Sequence, residues 1–316
     1  MEPTGVARIL VTGAAGFIGQ ALCPAFAARG HAIRAGLRRV VPAGDGIEPC
    51  LVGEIGPATD WSRALSGVEI VGPRAQRAHA GPDARALDAE PAALGALVRA
   101  ASAAGVRRLV LLSSIKAMAE ATVSGQALRA GDEPRPNDAY GRAKLASERA
   151  AADAAHERGV ELVVIRPPLV YGPGAKANFA ALLRLVHSGM PLPFAGIDNR
   201  RSLVARDNLV DLIAVAALHP AAAGRVLLCR DDEDLSTAAL VRLLAGGMGR
   251  PSPMFALPAP LFAVLRAVPG IGPKLARLTL SLQVDDAATR ATLGWAPPVP
   301  AATALAAAAR AFVESL

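Results

Sequence analysis

The chain has 316 residues, of which 52% are hydrophobic and 3% aromatic, and its net charge is +7. This length and apolar content predict one large or two modest folded domains and exclude disorder as the default state. The positive charge comes mostly from arginines spread along the whole chain. Dense basic blocks and stacking aromatics are both missing from the sequence, so we expect no nucleic-acid partner.

The sequence contains no uninterrupted apolar run of the ~18 residues that a membrane-spanning helix needs. Its first residues also lack the basic start and apolar core of a secretory signal. Cys23, Cys50 and Cys229 are odd in number and widely separated, which is typical of reduced thiols rather than of a disulfide framework or a metal site. We therefore expect a cytoplasmic protein with no membrane partner and no bound metal.

The stretch 9–19 is a short apolar strand pattern that runs into glycines at 13, 16 and 19. In such a stretch the first glycine allows a tight turn, the second lets backbone amides approach a diphosphate, and the third lets the next helix pack on the strand. The start of that helix adds a positive dipole end. The pattern therefore predicts dinucleotide binding by Gly13, Gly16, Phe17, Ile18 and Gly19.

A helix is predicted next over 17–29, and a second strand over 32–37. Arg38 and Arg39 follow this strand, and no Asp or Glu lies between Gly30 and Gly44. At this position an acidic side chain holds the ribose hydroxyls of NAD, whereas arginine favours the 2′-phosphate of NADP. The pattern favours NADP over NAD, with Arg38 as the phosphate ligand. The alternative is that both are ordinary surface residues of an arginine-rich chain.

Strand and helix patterns continue to alternate, with strands predicted over 49–52, 67–71, 107–112 and 160–165 and helices over 61–65, 84–105 and 138–158. Pro91 is expected to kink or restart the helix that contains it. This alternation predicts an α/β fold, a Rossmann-like doubly wound parallel sheet, over residues 1–166. Residues 167–316 are predicted to form mainly a smaller substrate-binding domain, with some segments, including a strand near 225–229, returning to the sheet.

Tyr140 and Lys144 are four residues apart on a predicted helix, so the phenol and the ammonium share one face. A nearby cation favours the phenolate, which makes Tyr140 a candidate general acid and base. Ser114 follows the predicted strand 107–112, at the sheet edge where ligands bind in such folds. The alternative is an ordinary pair on a helix surface. Since the chain has two tyrosines and four lysines, however, this spacing favours a catalytic Ser-Tyr-Lys set.

Together these motifs resemble the extended short-chain dehydrogenases/reductases, and in particular the NAD(P)-dependent nucleotide-sugar epimerase/dehydratase family. Within it, the chain looks like the UDP-glucose 4-epimerase-like and 4-keto-sugar reductase-like members. The resemblance extends over nearly the whole chain. The stretches that carry it are 12–19, 113–116, 140–144, 166–174, 176–179 and 199–203.

The resemblance implies catalytic roles for Ser114, Tyr140 and Lys144, the last two also in contact with the cofactor. It implies further cofactor contacts at Glu54, Ile55 and Pro167, and substrate contacts at Ser114, Lys116, Asn178, Phe179 and Arg201. Arginine suits the phosphate contact expected of Arg201, because its planar fork binds phosphate oxygens bidentately. Relatives commonly dimerise through the long helices beside the sheet, so a homodimer is expected.

The chain also departs from the family pattern. Residues 72–76 replace a His-Leu-Ala-Ala-like run, and residues 88–92 replace an Asn-Val-x-Gly-Thr pattern, both beside the expected cofactor. Ile115 and Lys116 stand where the dehydratases carry an acidic pair, which argues against a dehydratase.

The leading hypothesis is an NADP(H)-preferring oxidoreductase that acts at C4 of a UDP-linked hexose, reducing a 4-keto sugar. One alternative is a UDP-hexose 4-epimerase that retains NAD. A second is a catalytically impaired NAD(P)-binding sensor or partner protein.

Overall fold

The computed structural model describes residues 5–39, 44, 46–72, 84–123, 125–258, 261, 264, 268 and 272–316. The strands are β1 (Arg8–Thr12), β2 (Ala32–Leu37), β3 (Ile47–Leu51), β4 (Ile70–Gly72), β5 (Arg108–Leu112), β6 (Ala127–Leu128), β7 (Glu161–Arg166), β8 (Leu169–Tyr171), β9 (Leu203–Ala205), β10 (Val226–Leu228) and β11 (Gln283–Val284). The helices are α1 (Gly19–Ala27), α2 (Ser62–Leu65), α3 (Ala84–Ala103), α4 (Ala139–Arg158), α5 (Ala177–His187), α6 (Arg206–Leu218), α7 (Thr237–Gly247), α8 (Gly272–Thr279), α9 (Ala287–Leu293) and α10 (Ala301–Glu314).

Seven parallel strands form the central sheet, in the order β10-β7-β5-β4-β1-β2-β3. Strand β1, which lies between β4 and β2, carries apolar residues on both faces, and Ile9, Leu10 and Val11 are fully buried. A parallel sheet with two apolar faces needs helices on both sides. Helices α1 and α6 cover one face, and α2, α3 and α4 cover the other. The predicted α/β, doubly wound parallel fold is therefore confirmed.

A kink or a restart was expected at Pro91, and helix α3 runs through this residue as one helix, so a restart does not occur. Proline lacks the N–H that would bind the carbonyl four residues earlier, which is the reason for that expectation. The packing of α3 outweighs this loss, because its later turns bury Leu94, Leu97 and Val98 in the core that α3 shares with α4. Tertiary burial of an apolar face contributes more to helix stability than local propensity does.

The second half of the chain contributes to two regions. Helix α6 packs beside α1, and β10 joins the sheet edge by pairing with β7, with Leu227 opposite Ile165. The predicted returning strand is therefore confirmed. Helices α5, α7 and α10 instead form a separate core with the two-stranded β8–β9 sheet. A substrate-binding role for this second core remains a prediction.

None of the helices in the described ranges combines the length and apolarity needed to cross a bilayer. Of the segment 72–76, which departs from the family pattern, the structure describes Gly72. Residues 73–76 lie outside the described residues. The other departing segment, 88–92, lies on α3 and is described.

Candidate active site

The glycine turn after β1 has the geometry of a diphosphate-binding loop. Gly13 has a positive φ of 68°, which glycine adopts without strain. Gly16 closes the turn, donating its N–H to the Gly13 carbonyl oxygen at 2.8 Å. A Cβ added at Gly19 would lie 2.3 Å from that same oxygen, so only glycine lets α1 approach the strand this closely.

The start of α1 leaves room for an anion. Its N-cap residue, Ile18, has no side chain that could accept a hydrogen bond from the first-turn amides, and no acidic residue lies in that turn. The Gln20 and Ala21 amides already donate to the carbonyl oxygens of Gly16 and Ile18, so the feature that favours a bound phosphate here is the positive end of the helix. The Phe17 ring lies 5.6 Å from the guanidinium carbon of Arg206, at the start of α6. This geometry fits a dinucleotide, although binding by these residues stays a prediction.

The predicted adenosine side of the site lies at the ends of β2 and β3. Arg38 is exposed, and its Nη1 lies 3.9 Å from Oε1 of Glu54, whose side chain is also exposed. Ile55 is half-buried and packs against the core beneath α2 and α3. The structure thus brings Arg38 and Glu54 together, with the cation accessible to a ligand phosphate. Surface ion pairs of this kind contribute little to stability, so Arg38 can exchange Glu54 for a phosphate at low cost.

Ser114 lies just after β5 and begins a short 3₁₀ turn, Ile115–Ala117. Its Oγ accepts a hydrogen bond from the Lys116 N–H at 3.2 Å. Ile115 donates its own N–H to the Pro167 carbonyl oxygen at 2.9 Å, which connects the turn to the chain following β7. Ser114 and Pro167 therefore lie at the carboxyl ends of neighbouring parallel strands, at the edge where open α/β sheets bind ligands.

Helix α4 brings Tyr140 and Lys144 to the Ser114 turn. Asp138 caps the helix, its Oδ1 accepting the Gly141 N–H at 2.6 Å. Ser114 lies close enough to the Tyr140 phenol to lower its pKa. The Lys144 ammonium lies 5.7 Å from the centre of the Tyr140 ring. The three predicted catalytic side chains are therefore brought together.

Gly141 determines how closely α4 approaches this turn. A Cβ at that position would lie 2.3 Å from the Lys116 carbonyl oxygen and 3.0 Å from the Pro136 Cβ. Because the first of these contacts is with backbone, it cannot be relieved by a side-chain rotation. Tyr140, the residue before it, is held at the turn by this close approach.

A buried carboxylate that the sequence motifs do not include also enters the site. The Oε1 of Glu90, on α3, lies 3.0 Å from the Lys144 Nζ, and the side chains are only 4% and 6% exposed. Burial raises the pKa of Tyr140 to about 12, with the Glu90 charge as the next cause. The Asp138 charge acts in the same direction, while the Ser114 hydrogen bond opposes it. The phenol is therefore protonated near neutral pH.

A second buried ion pair holds α4 against the sheet below the catalytic side chains. The Arg166 Nη2, at the end of β7, lies 2.5 Å from Oε2 of Glu148, one turn beyond Lys144. Ser113 donates its hydroxyl to the other oxygen of Glu148. Both charged side chains are only 6% exposed, and each has its partner. Removing one partner of such a pair leaves a buried charge and lowers the stability of the fold. This cluster therefore fixes the position of α4 relative to the sheet.

Lys116, predicted to contact substrate, is already held by two carboxylates. Its Nζ lies 2.5 Å from Oδ2 of Asp138 and 3.0 Å from Oε1 of Glu120. Burial acts to raise the pKa of Asp138, but hydrogen bonds from Lys116 and the Gly141 amide, together with the Lys116 charge, lower it to about 2. In this structure Lys116 therefore stabilises the start of α4, and any substrate contact would have to compete with these carboxylates.

The remaining predicted substrate residues lie around the second core. Asn178 is exposed in the first turn of α5. Phe179 is 1% exposed, and its ring packs on Tyr171 with 5.5 Å between the ring centres, so the ring belongs to the second core. Arg201 donates from Nη1 to the Leu280 carbonyl oxygen at 2.8 Å. Burial lowers the pKa of Arg201. Substrate binding by these three residues stays a prediction.

A family model described as the NAD dependent epimerase/dehydratase family matches residues 9–228, from β1 to the end of β10. The chain is 37% identical over 318 residues to a UDP-glucose 4-epimerase of Vibrio cholerae, covering 97% of this chain and 96% of that protein. It is 31% identical over 320 residues to a 3-diazoavenalumate denitrifying reductase of a Streptomyces species, covering 93% and 97%.

The solved structure of UDP-glucuronic acid 4-epimerase from Bacillus cereus in complex with NAD superimposes with a TM-score of 0.77, covering 98% of this chain and 99% of that one. At 18% identity, this likeness shows the fold. Because the family match spans the whole central sheet and a relative of similar length shares more than a third of its residues, the chain is an NAD(P)-dependent enzyme of the NAD-dependent epimerase/dehydratase family.

Proposed function

We propose that this enzyme is an NADP(H)-preferring oxidoreductase that reduces the 4-keto group of a UDP-linked hexose. The observation that carries the proposal is the grouping of Tyr140 with Ser114 and Lys144, in which burial raises the pKa of the Tyr140 phenol to about 12. A ketone gains a proton on reduction, so its catalyst must begin in the protonated form. The sugar-nucleotide substrate class is supported by the Vibrio cholerae relative.

Reduction adds a hydride to the C4 carbonyl carbon and a proton to its oxygen; NADPH, which the glycine turn at 13–19 and Arg38 would hold, would supply the hydride. Ser114 donates a hydrogen bond to the carbonyl oxygen and so orients it toward Tyr140. Tyr140 passes its phenolic proton to the oxygen as negative charge develops there, and the Lys144 ammonium stabilises the phenolate left behind. Solvent then returns a proton to Tyr140, which completes the cycle.

The preference for NADP is supported by the end of β2, where Arg38 is exposed and its partner Glu54 is held only by a surface contact. The glycine turn fits a diphosphate with either cofactor, so it does not discriminate between them. The proposed preference for NADP therefore depends on Arg38, the residue after β2.

A second candidate function is supported by the 37% identity to a UDP-glucose 4-epimerase. An epimerase would use the same Ser114, Tyr140 and Lys144, but it would first remove a proton from the C4 hydroxyl. Because the hydride would then return to the sugar, such an enzyme would retain its NAD. A raised pKa of Tyr140 disfavours that first step, because the phenolate has to be formed.

The proposal includes a homodimer in the cytoplasm. The outer face of α4 carries a groove lined by Leu145, Ala146, Arg149 and Ala150, which a second long helix could fill. Sedimentation of the purified protein tests the dimer. A cytoplasmic location is supported by Cys23, Cys50 and Cys229, which are all free and buried.

The function is tested by supplying UDP-4-keto-hexoses with NADPH and following NADPH oxidation, using wild type and Tyr140→Phe. We expect turnover in wild type and a loss of about 10²- to 10⁴-fold in the variant. Unchanged turnover in Tyr140→Phe would contradict the assignment. NADPH binding without turnover of any sugar nucleotide would instead favour a sensor or partner protein. NAD released at one equivalent on denaturing the purified protein would favour the epimerase.

A further inference from the structure

The pairing of Lys144 with Glu90 changes the charge that Tyr140 experiences. A lone ammonium beside a phenol stabilises the phenolate and makes the phenol a better acid. Here the ammonium faces a carboxylate at 3.0 Å, and both side chains are more than nine-tenths buried. At this depth neither charge is screened by water, so the pair presents nearly zero net charge to its neighbours.

The position of Glu90 is set by the packing of α3 on α4. Glu90 lies in the second turn of α3, and the turns that follow bury Leu94 and Leu97 in the core shared with α4. The carboxylate therefore cannot leave the site without α3 moving. Because desolvation offsets much of the attraction between Glu90 and Lys144, the pair as a whole adds little stability over two neutral side chains, although removing one partner alone is costly. A buried carboxylate at this point has its main consequence in the chemistry of the site.

We propose that Glu90 is a positioning residue that offsets the Lys144 charge, holds Tyr140 in its proton-donating form and so directs the site toward reducing a ketone. Glu90 acts through Lys144 and through its charge, without touching the reacting atoms. The direction of catalysis rests on the proposed function. The effect of Glu90 on Tyr140 is independent of that function, since it involves only the side chains of Glu90, Lys144 and Tyr140.

In the described part of the chain, the charged side chains near Tyr140 are paired with side chains of opposite charge. On its own helix and cap, Lys144 faces Glu90 and Asp138 is paired with Lys116. From the turn after β5, Ser114 contributes a neutral hydrogen bond that lowers the pKa of Tyr140. Glu90 and Asp138 are the two carboxylates whose charges raise that pKa, with Glu90 the stronger of the two. Removing the Glu90 charge should therefore have the larger effect.

The test follows Tyr140 directly, without substrate or turnover. The chain has two tyrosines, so protein labelled at the tyrosine ζ carbon gives two carbon NMR signals, and Tyr140→Phe assigns them. Tyr171 is buried and hydrogen-bonded to Asp231, with a pKa raised far above its usual value, so its signal stays constant. In wild type we expect no titration of Tyr140 below about pH 11. In Glu90→Gln we expect its pKa to fall by about one unit or more.

Matched variants separate charge from structure. Glu90→Asp keeps the carboxylate and should restore most of the wild-type titration. Asp88→Asn removes an exposed carboxylate from the same helix and should leave Tyr140 unchanged. Circular dichroism checks that each variant folds. Glu90→Gln leaves Lys144 without this carboxylate, so Glu90→Asn provides a second neutral variant in case Glu90→Gln does not fold.

A wild-type titration in a folded neutral variant would overturn the proposal, and so would an equal shift in Asp88→Asn. A lowered pKa in Glu90→Gln with no turnover of any keto sugar by wild type would support the role of Glu90 and refute the proposed function instead. When wild type does reduce a keto sugar, the high-pH limb of its kcat/KM profile should move to lower pH in Glu90→Gln, which a purely structural role would not produce.

Discussion

Gly141→Ala should move Tyr140 away from Ser114, although the substitution changes none of the candidate catalytic residues. The new Cβ would lie 2.3 Å from the Lys116 carbonyl oxygen, against 3.4 Å for ordinary contact, so the start of α4 must retreat by about 1 Å. Overpacking of this kind costs about 1–3 kcal/mol of stability. A misplacement of ~1 Å costs about 10²-fold in rate, which corresponds to about 2.7 kcal/mol of activation free energy.

The assay compares NADPH-dependent reduction of a UDP-4-keto-hexose and urea unfolding in Gly141→Ala and Gly247→Ala. Gly247 provides the matched control, because a Cβ there would lie 2.8 Å from the Ala306 Cα, between α7 and α10. Both variants should lose stability, but only Gly141→Ala should lose about 10²-fold in kcat/KM. Wild-type kcat/KM in Gly141→Ala, or an equal loss in Gly247→Ala, would refute the steric argument.

Arg38→Ala should raise the KM for NADPH by about tenfold or more and change the KM for NADH little, because a charge-assisted contact to the 2′-phosphate contributes about 1.5–3 kcal/mol. Equal effects on both cofactors would contradict the assignment. Asp138→Asn should cost about 1–2 kcal/mol in urea unfolding near neutral pH. Because its pKa falls from 3.8 to about 2 on folding, the Asp138 contribution is present above about pH 4 and lost as the pH falls toward 2. The difference between variant and wild type should therefore shrink over that interval, and a constant difference would contradict this origin.

The sheet could be predicted because its determinants are local. Strands β1 and β5, for example, are mainly apolar runs of five residues, and Gly13 marks the turn that follows the first. The strands β6, β8, β9 and β11 could not be predicted in the same way, since they are two or three residues long and lie outside the alternation of strands and helices that identified the central sheet. Their pairing is determined by contacts distant in sequence, such as Leu169 with Leu203.

The assembly of Ser114, Tyr140 and Lys144 was also predictable, because spacing on one helix and position at a strand end are both sequence properties. Glu90 was not recognised, since its place beside Lys144 depends on how α3 packs on α4. No sequence feature indicated it, because Glu90 stands at the variable position of the Asn-Val-x-Gly-Thr pattern. The Lys116 pairing had a local indication as well, because Glu120 follows it by four residues.

The most direct test of the central claim is to supply a UDP-4-keto-hexose with NADPH carrying deuterium at the transferred position and to examine the product by NMR. The account predicts one NADPH oxidised for each product formed, with deuterium bound at C4 of a UDP-hexose. Conversion of a UDP-hexose into its C4 epimer, with no NADPH consumed and no deuterium incorporated, would contradict it and establish the epimerase in its place.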